Sequence, residues 1–167
     1  MNVLKVEYVY NDGSVVYAVY DATPIVCFVA GTKVLTETGL INIEDITAGM
    51  KVYSRNMETN QNELKEVLAT SKRKVEMCTY EISVNGEKIE STGNHPFYVK
   101  GKGYVEASKL INGDILIDSN NNDHEISDIK IINNAETVTV YNLNVDDNHN
   151  YYVGQSKVLV HNAACRT

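Results

Sequence analysis

An internal repeat of a β-rich segment constrains the fold of this chain more than any other feature. The segment that begins at Gly39 (39–52) aligns without gaps on the one that begins at Gly103 (103–116), with both glycines and most apolar positions matched. In the same order, residues 79–84 align on 140–145. Two copies are too few for a solenoid, which needs about three repeats to bury a continuous core. The repeat therefore predicts one domain with approximate internal two-fold symmetry.

Short alternating segments separated by turn residues make up most of the chain, and they predict an all-β fold. Asn-Gly pairs, which favour tight hairpin turns, occur at Asn85 and Asn112. Single helical turns are expected only at 42–46 and 106–110, and the polar stretch 119–124 is predicted to be an exposed loop with His124 solvated. The predicted strands are 33–35, 51–54, 64–70, 78–84, 97–100, 114–117, 126–131, 137–145, 151–153 and 157–160.

The first residues predict a β-hairpin followed by a boundary. Apolar alternation runs up to Tyr10, turn residues occupy 11–14, and a second alternating run ends before Pro24, which favours extended backbone at the residue before it. We therefore place a boundary near Ile25 and Val26, after an N-terminal flanking segment (1–26).

Charge and composition exclude several classes of partner. The formal net charge is −7, and no cluster of Lys and Arg is long enough to follow a phosphate backbone, so we expect no nucleic-acid partner. No apolar run is long enough for a membrane span, and the N-terminus lacks a signal-peptide pattern. The three cysteines, Cys27, Cys78 and Cys165, are odd in number and far apart, which argues against a disulfide framework.

Four motifs occur in an order that matches one known family. They are the Cys27–Thr32 segment directly after the boundary, Thr92 and His95 spaced as Thr-x-x-His, the 140–145 segment with His149, and the terminal Val160-His161-Asn162. Together they resemble the Hint family of inteins, hedgehog autoprocessing domains and bacterial intein-like domains. The resemblance implies a single horseshoe-shaped Hint autoprocessing domain at 27–162, followed by a short C-terminal flank (163–167). Its pseudo-two-fold symmetry is what the repeat independently predicts.

The resemblance and the residues agree on the chemistry at the N-terminal end. The Cys27 thiol can attack the carbonyl of Val26 and convert the amide into a thioester, a nucleophilic reaction in which the substrate is part of the chain. An amide is a poor acceptor, so its nitrogen must be protonated and its carbonyl polarised. The resemblance assigns proton donation to His95 and a hydrogen bond to Thr92.

At the other end, Asn162 can cyclise to a succinimide and break its bond to Ala163. Most asparagines react slowly in this way, so neighbouring groups must assist. His161 is placed to polarise the carbonyl, and His149 to activate the attacking amide or protonate the departing amine.

Four positions shape the expected outcome. Ala163 carries no nucleophile where a splicing intein has Cys, Ser or Thr, which makes the chain look most like type A bacterial intein-like domains. Asn142 stands where inteins commonly carry Asp, and an amide cannot ionise. Val26 is β-branched and crowds the carbonyl that Cys27 attacks, while Cys165 is a poor substitute acceptor because its acyl shift needs a larger ring.

The expected function is single-turnover autoprocessing in cis. N-terminal cleavage through the thioester and C-terminal cleavage at Asn162 should outweigh splicing or ligation of the flanks. The partners are then the chain's own flanking sequences, with water or small thiols as acyl acceptors, no cofactor and a monomeric state. The resemblance also implies a bacterial parent protein, often secreted or on the cell surface.

Three alternatives remain open. A cysteine protease acting in trans would use Cys27, His95 and Asn162 as nucleophile, base and orienting residue. Zinc could bind adventitiously and inhibit at a site drawn from Cys27, His95 and His161, with His149 or Cys165 as further ligands, because thiols and imidazoles suit that metal. An inactive β interaction module is the third.

Overall fold

The predicted all-β class is confirmed. The computed structural model describes residues 3–21, 26–133 and 137–162, and within these ranges it contains sixteen β-strands and two single-turn 3-10 helices. The first eight strands are β1 (Val3–Tyr10), β2 (Val15–Asp21), β3 (Phe28–Val29), β4 (Lys33–Thr36), β5 (Gly39–Asn42), β6 (Lys51–Asn56), β7 (Gln61–Val75) and β8 (Thr79–Val84). The others are β9 (Glu87–Thr92), β10 (Pro96–Val99), β11 (Gly103–Glu106), β12 (Ile115–Ile117), β13 (Asp123–Ile132), β14 (Val138–Val145), β15 (Asn150–Val153) and β16 (Val158–His161).

The sequence repeat appears as a structural repeat. β5 leads into a 3-10 helix at Ile43–Asp45, and β11 leads into the second 3-10 helix at Ala107–Lys109. Both helical turns were predicted. The strands follow the order β14-β3-β9-β8-β13-β12-β10-β16-β15-β4-β6-β7, and β7 pairs again with β14. This second pairing closes the sheet, as expected for a barrel-like Hint fold.

Four short strands were not predicted: β3, β5, β9 and β11. The omission of β9 matters most because this strand carries Thr92. Its sequence is largely polar, yet Ile89, Ser91 and Thr92 are all buried. A strand whose buried face includes hydroxyl groups does not show the alternation of apolar and polar residues by which strands are predicted, so β9 was missed.

One large core stabilises the domain between the sheet layers. Its fully buried side chains come from distant parts of the chain and include Phe28, Val52, Phe97 and Tyr151. A smaller apolar cluster contains Cys27, Val75 and Val140. Since Cys27 belongs to this cluster, its surroundings are apolar and closely packed.

Two surface predictions have different outcomes. The N-terminal hairpin is confirmed, with Gly13 at a φ of 86° in its turn, and its first strand also pairs with β7. The prediction for 119–124 is wrong in part. β13 already begins at Asp123, and the side chain of His124 is only 16% exposed because Nε2 lies 2.7 Å from Asp118 Oδ2. In the described ranges, no helix is long and apolar enough to cross a bilayer.

Candidate active site

Strand pairing brings the two ends that carry the predicted site residues together. β3, which directly follows Cys27, pairs with β14 on one side and with β9 on the other. β16, which ends at His161, pairs with β10 directly after His95. The motifs separated along the chain therefore converge on one region, as the resemblance implies.

Thr92 holds the peptide unit of Cys27. Its Oγ1 accepts a hydrogen bond from the Cys27 amide at 3.0 Å, and its own amide donates to the Cys27 carbonyl at 2.9 Å. The single hydroxyl proton faces the Cys27 carbonyl oxygen at 3.3 Å and Asn94 Oδ1 at 3.1 Å. Thr92 thus accepts a hydrogen bond from the nitrogen that would leave Val26, while its own hydroxyl proton is within donating distance of the Cys27 carbonyl and of Asn94.

Burial controls the reactivity of the Cys27 thiol. The residue is 2% exposed, and this burial raises the pKa of the thiol to about 12, with the Arg73 guanidinium opposing the shift. Val26 is buried as well. At neutral pH the sulfur is protonated and weakly nucleophilic, so attack requires a nearby group that accepts its proton.

His95 is a fully buried histidine in an aromatic environment. Its ring centroid lies 4.0 Å from that of Phe28 and 6.0 Å from that of Phe97. Desolvation lowers the pKa of His95 to about 3, opposed by the backbone of His161 and assisted by the charge of its ring. Neither ring nitrogen has a hydrogen bond of ordinary geometry within the described residues. The imidazole is therefore neutral at pH 7 and able to accept a proton.

The buried imidazole predicts a pH-dependent stability. The unfolded chain binds a proton on His95 below about pH 6.5, whereas the native state does so only near pH 3, so stability is lost as the pH falls through this window. We expect the free energy of unfolding of the parent to fall by about 1.4 kcal/mol per pH unit more than that of His95→Gln. Urea titrations between about pH 6 and pH 4 measure this difference. Equal slopes for the two proteins would contradict the assignment.

Hydrogen bonds hold the backbone amide, the carbonyl oxygen and the side-chain nitrogen of Asn162. Its amide donates to the His149 carbonyl at 2.8 Å, and its side-chain Nδ2 donates to Asn144 Oδ1 at 3.3 Å and to the Val145 carbonyl at 3.2 Å. Its carbonyl oxygen accepts a short hydrogen bond from Asn142 Nδ2. Since backbone carbonyls only accept, these contacts define the orientation of both side-chain amides.

Asn142 also connects the two ends of the site. Its Oδ1 accepts a hydrogen bond from the Tyr151 hydroxyl at 2.9 Å. Burial raises the pKa of Tyr151 well above its usual value, and the nearby Cys27 adds to the shift. A chain of contacts thus runs from the Asn162 carbonyl through Asn142 and Tyr151 toward the sulfur.

The two other predicted histidines lie beside this arrangement. The His161 ring packs against the Tyr104 ring, with centroids 5.0 Å apart. The centroid of the His149 ring lies 6.5 Å from that of His161. His149 is exposed and has a φ of 54°. The side chain that donates a hydrogen bond to the Asn162 carbonyl is that of Asn142. From the sequence, His161 was expected to polarise this carbonyl.

The structure adds residues that sequence reasoning missed. Arg73 was not among the predicted site residues, although it is buried near Cys27. Asn144 lies two residues after Asn142, and side chains two apart on a strand share a face, so this signal was available. Tyr151 and Asn94 had no such signal, because their contacts come from distant strands or a turn.

Two of the predicted positions belong to residues that the structure does not describe, and a further prediction concerns metal binding. Ala163 and Cys165 fall outside the described residues. Within the described ranges, no three His, Cys, Asp or Glu side chains come together as a metal site, so the suggested zinc ligands Cys27, His95 and His161 do not form one there.

Comparison with known proteins identifies the family. The family model described as the pretoxin HINT domain matches residues 33–163. The solution structure of a bacterial intein-like domain from Clostridium thermocellum is 46% identical, with a TM-score of 0.80, covering 83% of this chain and 100% of that one.

More distant structures share the fold. A DnaB intein from Synechocystis sp. PCC 6803 is 17% identical, with a TM-score of 0.68, covering 82% of this chain and 98% of that one. The gp41-1 intein is 25% identical, with a TM-score of 0.66, covering 81% and 98%. A search of curated proteins gave no match. From its motifs, its fold and these similarities, we conclude that the chain belongs to the Hint family and is related to bacterial intein-like domains and mini-inteins.

Proposed function

We propose that the chain processes itself in cis, by an N-to-S acyl shift at Cys27 and by cyclisation of Asn162. The supporting observation is the hydrogen bond from Asn142 to the Asn162 carbonyl, the atom on which charge develops during cyclisation. Each bond breaks once, so the domain is a single-turnover catalyst. Separation of the flanks is the main outcome, and their ligation is a minor one.

In the first step, Sγ of Cys27 attacks the carbonyl carbon of Val26. His95 accepts the thiol proton as the C–S bond forms, and delivers it to the Cys27 nitrogen as the C–N bond breaks. His95 is neutral, so its ring can take up the proton; its lowered pKa makes it a weak base but makes the resulting imidazolium a strong acid, which favours delivery of the proton to the leaving nitrogen. Thr92 holds the leaving nitrogen in place, and the product is a thioester with a free amine.

In the second step, Nδ2 of Asn162 attacks its own carbonyl carbon. Asn142 stabilises the negative charge on the oxygen. Asn144 Oδ1 and the Val145 carbonyl accept hydrogen bonds from Nδ2, which orients the attacking nitrogen. The bond to residue 163 then breaks, and the departing amine takes up a proton. We assign His149 and His161 to these proton transfers, since His161 directly precedes Asn162, the Asn162 amide donates to the His149 carbonyl, and the two rings lie 6.5 Å apart.

The fate of the thioester follows from its possible acceptors. Ala163 offers no hydroxyl or thiol, so water or a small thiol releases the segment before Cys27. The amine freed at residue 163 is a third acceptor and would join the flanks by an amide bond. We propose the chain's own flanking sequences, and no separate protein, as its substrate.

Burial of Cys27 disfavours a cysteine protease that acts on other proteins. A sulfur in a residue that is 2% exposed is closed to an added peptide, whereas the preceding carbonyl is already covalently adjacent. Processing in cis proceeds at a rate independent of protein concentration. A rate that rises with concentration would support the protease instead.

A time course of fragment masses at several pH values tests the proposal. We expect a thiol to release the segment before Cys27, and the limiting rate at saturating thiol to change little between about pH 5 and about pH 9, because neither Cys27 nor His95 titrates there. A tenfold rise per pH unit would show that solvent hydroxide, rather than His95, removes the thiol proton. An intact mass at every pH would refute autoprocessing.

A further inference from the structure

The hairpin formed by β1 and β2 is joined to the domain by strand pairing. β1 runs antiparallel to β7, with Val6 opposite Arg73 and Tyr10 opposite Ala69. β14 pairs with the other edge of the same stretch of β7. Residues 69–73 therefore form a central strand segment, with the hairpin on one edge and the site-bearing β14 on the other.

Additional contacts support this arrangement. Asn11 Nδ2 donates to Glu66 Oε2 at 3.1 Å, which ties the hairpin turn to β7. Glu7 lies directly opposite Lys72 in the register. Opposite charges at such positions stabilise a strand pair, and like charges destabilise it.

We propose that the β7 edge at residues 69–73 is a strand-capture site that keeps the hairpin bound after the bond before Cys27 is cut. An isolated two-stranded hairpin is marginally stable in water, and an emptied β7 edge exposes unpaired backbone groups. While β1 stays paired with β7, the hairpin is stabilised and the backbone groups of the β7 edge keep their partners. Main-chain hydrogen bonds supply the affinity when a strand binds to the edge of a sheet. This retention rests on the proposed function only where autoprocessing makes the cut. Its consequence is that the acyl segment stays near the Asn162 end.

An external cut separates this proposal from autoprocessing. A specific protease site replaces residues 22–25 in the full chain carrying Cys27→Ala, so that cleavage needs no chemistry of the domain. Denaturing mass spectrometry confirms the cut, and native mass spectrometry with gel filtration shows whether the fragments stay together. We expect one complex containing both fragments. Separate elution of the hairpin, or dimers of the emptied domain, would overturn the proposal.

A charge exchange tests the register. Lys72 is exposed, so its replacement leaves the core intact. Glu7→Lys places like charges opposite each other and should speed loss of the hairpin by about two- to fivefold, and adding Lys72→Glu should restore the parent rate. Exchange with a labelled peptide of residues 1–21 measures that rate. If neither substitution changes the rate at which the hairpin is lost, the hairpin is held by another surface and the proposal is overturned. Failure of thiol cleavage in the parent chain would refute the proposed function but not strand capture.

Discussion

Replacement of Cys27 by Ala is expected to abolish thiol-dependent release of the segment before residue 27. In the proposed mechanism the sulfur is the atom that forms the thioester, and the alanine side chain carries no nucleophile in its place. Ala keeps the backbone amide that donates to Thr92, so the local fold should persist. Cleavage after Asn162 should continue, because its contacts involve Asn142, Asn144 and Val145 rather than the sulfur. Intact-mass measurements with and without thiol check both outcomes.

Cys78→Ala is the matched control for this experiment. Cys78 is an exposed free cysteine whose Sγ donates to Asn133 Oδ1, and it lies outside the site. We expect this variant to release the N-terminal segment at the parent rate. Thiol-dependent release that survives Cys27→Ala, or that is lost in Cys78→Ala, would show that another residue carries the acyl group.

The second large effect is expected for Asn142→Asp, a nearly isosteric change that removes one hydrogen-bond donor. Aspartate can still accept from the Tyr151 hydroxyl, but when ionised it cannot donate to the Asn162 carbonyl and repels the charge developing there. Loss of one such donor in enzymes slows the reaction by about 10²- to 10³-fold, which is about 2.7–4 kcal/mol in the barrier. We expect a loss of this size in the rate of cleavage after Asn162.

The pH dependence of this variant distinguishes a chemical role from a structural one. A protonated carboxyl group can donate, so cleavage by Asn142→Asp should recover as the pH falls toward the pKa of the new side chain. Asn122→Asp adds the same charge at an exposed position and should cleave like the parent. A slow rate without acid recovery would indicate that Asn142 only supports the fold, and an unchanged rate would remove it from the mechanism.

Much of the fold and part of the site could be predicted from local patterns. The two copies that begin at Gly39 and Gly103 form the same strand and 3-10 turn because similar patterns of glycine and apolar residues act in both. The N-terminal hairpin follows from alternation around a turn with Gly13. The Thr92-x-x-His95 spacing is also local, since a strand end, a turn and the next strand start place both residues side by side.

The predictions failed where an outcome depended on neighbours from distant strands. β9 was hidden because its buried face carries hydroxyl groups whose partners lie elsewhere, as Thr92 does with Cys27. His124 was assigned to solvent, but its position beside Asp118 comes from the return of the chain into β13.

The sequence by itself determined which reactive groups the chain carries, their order, and the repeat of short strands. Only the tertiary structure decided that Cys27 is protonated, that His95 is neutral, and that Asn142 meets the Asn162 carbonyl. The reason is physical: a strand's conformation depends on nearby residues, whereas burial and hydrogen-bond partners depend on which strands become neighbours. That choice is made by the whole core, and it sets the pKa and the partner of each reactive group.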